Sequence, residues 1–215
     1  MPDPIQVNNE PWVQRLSSHS AATMGTRFEH EIGARDRKCV VSGISNHDAL
    51  IQQDYWVGFD ATYIFPPEHE ALWIRSDNDR LITNMDNVTG SSKINSSQNG
   101  FLLNCSAHEL FNQYLIAVNP DDGYKVVTFY GNFFGYDGKV LDPVCRNPAD
   151  PNSVSDQLLR WHFRQSILAN MRGDGEPIFE HDFPPGTDMM AEILEGPNGK
   201  ERFEFVMAAR LRGLV

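Results

Sequence analysis

Apolar positions in this chain come in short runs, and their period changes from segment to segment. Lys38 to Gly43 is an apolar β-type run closing on glycine, which predicts a strand that ends in a turn. Ala61-Thr62-Tyr63-Ile64-Phe65 is a second β-rich run, stopped by Pro66-Pro67. Residues 75–98 are crowded with Asn, Asp, Ser and Thr and read as loop around short turns. After the apolar Phe101-Leu102-Leu103, Ser106 and Glu109 have the spacing of a capping box. The helix it opens would carry Leu110, Phe111, Tyr114 and Leu115 on its apolar face. The runs 115–118 and 124–130 flank Asn119-Pro120-Asp121-Asp122-Gly123, which predicts a β-hairpin.

Residues 142–152, with three prolines, are a connector. From Ser153 to Met171 the spacing of Val154, Leu158, Trp161, Ile167 and Leu168 is helical, and Gly173 ends it. Beyond an extended stretch containing Pro177, Pro184 and Pro185, two helical segments cover 187–195 and 199–212. The polar residues 1–25 read as an arm or docking segment. Together these elements predict an α+β fold. Residues 1–34 form a partly disordered N-terminal arm, and 35–215 form a single domain with a C-terminal helical extension.

Composition narrows this picture. With 215 residues and 40% apolar content the chain can bury a core without disulfides or a structural metal. No apolar run approaches membrane-spanning length, and the N-terminus lacks the basic and apolar regions of a secretory signal. Cys39, Cys105 and Cys145 are widely spaced and form no CxxC, which fits a reducing compartment and predicts an intracellular, cytoplasmic protein. Asp and Glu outnumber Lys and Arg by 29 to 18, a net charge of −11 that falls wholly on residues 39–215. A chain that grips a phosphate backbone gathers basic side chains, so the balance disfavours nucleic acid.

The chemistry-bearing residues lie in the strand, loop, strand, Asn and helix-with-His succession of residues 39–112. Cys39-Val40-Val41-Ser42-Gly43, Ala61-Thr62-Tyr63-Ile64-Phe65-Pro66, Gln98-Asn99-Gly100-Phe101-Leu102-Leu103 and His108-Glu109-Leu110-Phe111-Asn112 resemble the HNH endonuclease family, most nearly its fungal branch. The likeness extends through Asn119–Gly123, Leu158–Gln165, Gly175-Glu176-Pro177 and Asp182–Gly186, so it spans roughly residues 35–214.

That resemblance implies an HNH-like ββα core with a β-hairpin and added helices. It also implies metal-assisted phosphodiester hydrolysis, with a strand-end histidine as general base and an asparagine that orients it. A helix histidine and a second ligand one turn later would hold the metal. Asn99 and His108 fall on the asparagine and helix-histidine positions, and Asn112, four residues on, shares a helix face with His108. Two positions depart from the pattern. Tyr63 stands where the base is expected, and a phenol with an ordinary pKa near 10 activates water poorly at neutral pH. Asn112 stands where a charged or imidazole ligand is expected, and a neutral amide binds a hard dication weakly.

Three functions compete. In the first, the scaffold is a metal-independent acid/base enzyme of cyclase, isomerase or lyase type. Its cofactor-free cleft holds Tyr63, Asn99 and His108, with Tyr55, Trp56, Trp73, Phe133 and Phe134 as an apolar wall around a small organic substrate. Fungal specialised metabolism would supply such a substrate by analogy alone. The second is a divalent-metal-dependent endonuclease, with His108, Asn112 and Asp60 on the metal and His69 or His47 as base. Its groove would draw on Arg75, Arg80, Lys93, Arg160 and Arg164. The third is a catalytically inactive binding protein. Self-association into a homo-oligomer is open in all three. Trp161 reads as core packing beside its polar neighbour His162, and Glu180-His181-Asp182 as an extended segment whose side chains alternate away from one another.

Overall fold

A computed structural model of the chain describes residues 12, 13, 15, 26–84, 92–132 and 134–170, and the single positions 188, 191 and 194. The chain divides into two compact units, Met1–Asn9 with Gly173–Val215, and Glu10–Arg172. Nearly all described residues belong to the second, and apart from Asp188, Ala191 and Leu194 the predicted C-terminal helices lie outside the described residues.

The second unit begins with α1 (Arg27–Asp36), so residues 27–34, assigned to the arm by sequence, are helical. Thr26 Oγ1 accepts from the Glu29 N–H, and Glu29 Oε2 accepts from the Thr26 N–H at 2.7 Å, a reciprocal capping box. The helix stops where Arg37 turns left-handed at φ 56°. Residues 38–43 make no strand. Lys38 forms one bridge to Ser45, Gly43 closes the turn at φ 81°, and Val40 is tied to the Leu102 carbonyl at 3.0 Å.

α2 (Asp48–Gln52) is a short exposed helix, and β1 (Phe59–Tyr63) follows it. β1 pairs antiparallel with β2 (Gly100–Asn104), with Asp60 opposite Leu103 and Tyr63 opposite Gly100. Between them lie α3 (Glu70–Arg75) and three short 3-10 turns. β2 runs directly into α4 (Cys105–Asn112), so the cap is Asn104, whose side chain accepts from the Ala107 N–H, and Ser106 lies inside the helix. The predicted hairpin is present as β3 (Ile116–Asn119) and β4 (Lys125–Thr128). α5 (Asp156–Asn170) packs against β3. The fold is α+β, as the pattern of runs requires.

β2 is buried on both sides, with Phe101, Leu102 and Leu103 fully enclosed. α1 and α4 both pack against the β1–β2 ribbon. Gly100 is the closest approach, since a Cβ there would sit 2.5 Å from the Phe28 ring and 2.7 Å from the Thr62 carbonyl.

A second buried device is ionic. Arg35 sends two N–H groups to the Asp36 carboxylate and others to the carbonyls of Ser97, Asn152 and Gly100. Asp36 in turn accepts from the Leu102 N–H at 2.8 Å. One ion pair therefore joins α1 to β2, to the 97–99 turn and to the connector before α5.

Candidate functional site

Side chains alternate across a strand, and in β1 this decides which residues can meet. Asp60 and Thr62 point to one side, and Ala61 and Tyr63 to the other. α4 covers the Asp60 side. There His108 Nδ1 lies 3.0 Å from Asp60 Oδ2, and both side chains are more than nine-tenths buried. One turn later the Asn112 amide lies 2.5 Å from His108 Nε2. A carboxylate accepts only, so the Nδ1–H donates to Asp60 and Nε2 keeps its lone pair, accepting from the Asn112 amide. The Cys105 thiol at the start of α4 donates to Asp60. Partial burial and then the Asp60 charge push that thiol above its ordinary pKa, so it stays protonated.

Tyr63 occupies the other side of the ribbon. Its ring stacks on Phe28 at 3.8 Å and 2°, and its hydroxyl donates to Asn95 Oδ1 at 2.9 Å. Burial, helped by the Glu29 charge, pushes the phenol well above its usual value, which makes it a poor proton donor at neutral pH. The cleft expected to unite Tyr63 with His108 is therefore not formed. Tyr63→Phe keeps the ring stack and loses one exposed hydrogen bond. Urea unfolding should register a loss below about 1 kcal/mol, with no change in the His108 imidazole resonances.

Asn99 is fully buried and engaged by backbone. Its Oδ1 accepts from the Phe65 N–H at 2.8 Å, and its amide donates to the carbonyls of Phe65 at 3.0 Å and Ile94 at 2.9 Å. It clamps the chain after β1, and none of its polar atoms is aimed at His108.

The expected aromatic wall is dispersed. Trp56 and Trp73 are core side chains, with their indole N–H groups bonded to Asp54 and to the Ser92 carbonyl. Tyr55 and Phe134 are exposed, and Phe133 lies outside the described residues. His47 caps α2 through Nδ1, while His69 ends the 67–69 turn. Glu180, His181 and Asp182 lie outside the described residues. Of the five groove candidates, Arg80, Lys93 and Arg160 each face a carboxylate, from Asp77, Asp79 and Asp121.

Asp60, His108 and Asn112 do come together, but on opposite edges of one imidazole. Asp60 orients the ring from behind through Nδ1, as a carboxylate does for a metal-bound histidine when it accepts from the ring's other N–H. Among the described residues only Nε2 and the Asn112 oxygen, once the amide turns, could face one ion. One imidazole and one neutral amide are too few and too weak for a dication. Among the described residues no three His, Cys, Asp or Glu side chains are grouped to hold a metal. Sequence reading named Asp60 as a metal ligand and missed its role as the imidazole's partner. The odd spacing of Asp60 and Tyr63 in a strand carried that signal.

Residues 39–119 match the family described as HNH endonuclease, over a little more than a third of the chain. No curated protein and no solved structure matches the chain.

Proposed function

We propose, with an HNH-family domain at residues 39–119 as the premise, that the protein is a histidine acid/base catalyst acting on a small organic molecule. The chemistry would be cyclisation, isomerisation or dehydration, driven by proton transfer and needing no resident metal. The observation that supports this reading is the buried Asp60–His108 hydrogen bond. A carboxylate on Nδ1–H fixes one tautomer and leaves Nε2 as the working atom. Asn112 donates to that atom at rest, and a turn of its side chain would free Nε2 for a substrate proton. Tyr63 and Asn99, the other two members of the expected trio, have packing roles and are removed from the proposal.

The acidic surface and the paired Arg80, Lys93 and Arg160 also favour a small substrate over a phosphate backbone. One observation favours the endonuclease: His108 and Asn112 share a helix face one turn apart. Supercoiled plasmid incubated at low salt with Mg, Mn, Ni and Zn separates the two readings, with His108→Ala as the control. The expected result is no metal-dependent nicking. Nicking that disappears in His108→Ala would overturn the proposal in favour of the nuclease. In screens of small carbonyl compounds, turnover should fall about 10²–10⁴-fold in His108→Ala. Binding without turnover, unaffected by that substitution, would instead mean an inactive binding protein.

A further inference from the structure

Two buried side-chain nitrogens among the described residues have no hydrogen-bond partner, one Nη of Arg15 and Nδ1 of His162. Both belong to the same corner of the fold. His162, on α5, is fully buried, stacked on Phe111 at 3.6 Å and 3° and tilted against Tyr114 at 5.0 Å. Its Nε2–H donates to the Phe111 carbonyl at 3.1 Å, so Nδ1 holds a lone pair that meets no donor. The Arg15 guanidinium lies 5.5 Å from the Phe111 ring centre and 5.8 Å from that of Tyr114, and its other Nη donates to the Tyr63 carbonyl. Two residues earlier, the Val13 N–H donates to Gln165 Oε1 at 2.9 Å, and its carbonyl accepts from the Tyr114 hydroxyl at 2.8 Å.

We propose that the segment carrying Trp12, Val13 and Arg15 is a strap that acid releases, because a proton on His162 drives the Arg15 guanidinium out of the Phe111–Tyr114 corner. An imidazolium there would be a second positive charge beside Arg15, with no acceptor at its Nδ1. Among the described residues, the groups facing the pair are few. Phe111 and Tyr114 come from the end of α4, the Tyr63 carbonyl from β1, and Gln165 from α5 itself. Among the described residues, Glu68 from the 67–69 turn is the acidic group felt by Arg15, and it is exposed.

The strap is the weakest element of the corner. Phe111 of α4 and Leu158 and Leu159 of α5 are all essentially inaccessible, whereas Val13 and Arg15 hold the strap by a few hydrogen bonds and two ring faces. Arg35 shows the contrast, since that buried guanidinium has a carboxylate and three carbonyls. Burial, and then the charge of Arg15, hold His162 well below the ordinary imidazole value, and burial lowers Arg15 to about 10. The closed form therefore binds fewer protons than the open one. Below the ordinary value of about 6.5, opening is favoured by up to about tenfold per pH unit. Release would also free the Tyr63 carbonyl at the end of β1, the strand that supplies Asp60 to His108. That last consequence rests on the proposed function, but strap release does not.

Amide exchange on the full chain between pH 7.5 and 5 tests the idea, with protection corrected for the intrinsic pH dependence. Val13 should lose up to about tenfold protection per pH unit below about 6.5, while the Leu102 amide, bonded to Asp36, stays protected. In His162→Phe, which keeps a ring on Phe111, Val13 protection should not change with pH. Protection of Val13 that is constant in the native chain, falls together with Leu102, or falls equally in His162→Phe would overturn the proposal. If His162→Phe does not fold, Arg15→Met serves instead. It should move strap release to lower pH, and an unchanged midpoint would count against the mechanism. None of these outcomes bears on the role of His108.

Discussion

Arg35→Met should cost about 3–5 kcal/mol of stability, the usual loss when one partner of a buried ion pair is removed. The Arg35 and Asp36 side chains are 5% and 0% exposed, so the carboxylate left behind cannot recover its hydration. Three backbone carbonyls, of Ser97, Gly100 and Asn152, lose their donors at the same time. With a urea slope of about 2 kcal/mol/M, the unfolding midpoint should fall by roughly 2 M. The double change Arg35→Met with Asp36→Leu should recover part of the loss, because no charge then remains buried. Recovery should be incomplete, since the Leu102 N–H still needs the oxygen that Asp36 gave it. A single substitution costing under 1 kcal/mol would mean that water reaches this pair and that it does not tie α1 to β2.

Asn99→Leu should be nearly as damaging, by about 3 kcal/mol or more, for a different reason. The side chain keeps its approximate volume but loses every polar contact. The Phe65 N–H and the carbonyls of Phe65 and Ile94 become orphans, at about 1–3 kcal/mol for each buried group left unsatisfied. Asn99→Asp should fall between, because a carboxylate can still accept from Phe65 but only repels the two carbonyls. Denaturant midpoints of the two variants against the native chain measure this. Full stability in Asn99→Leu would show that the asparagine is not the clamp described above. The result also bears on function, since it separates structural loss from chemical loss in any activity assay of this position.

Much of the layout was legible beforehand. The hairpin around 119–123 and the long helix, read over 153–171 and found at Asp156–Asn170, follow from local period and turn chemistry, whereas the run read at 61–65 belongs to a strand that starts at Phe59 and ends at Tyr63. The capping box at Ser106 was misplaced because Asn104 is also a favoured N-cap residue, and only the continuation of β2 into α4 chooses between them. The run 38–43 looks like a strand, yet it finds no strand partner. Its ties to the sheet, Val40 to Leu102 and Cys39 to Asn104, depend on residues about sixty positions away. Residues 27–34 were read with the arm, although Thr26 and Glu29 carry the capping pattern that begins α1.

The site divides in the same way. Sequence by itself determined that His108 and Asn112 share a helix face, that Tyr63 lies in a β-rich run, and that the chain carries a net charge of −11. These facts need only helical period, residue identity and a charge sum. Tertiary structure decided that Asp60 and not Tyr63 meets His108, that Asn99 spends its amide on backbone, and that Arg15 reaches the Phe111–Tyr114 corner. The physical reason is that the pleat sends Asp60 and Tyr63 to opposite faces, and only packing determines which face α4 covers. Which buried polar atoms find partners is likewise settled by packing, because those partners come from segments far apart along the chain.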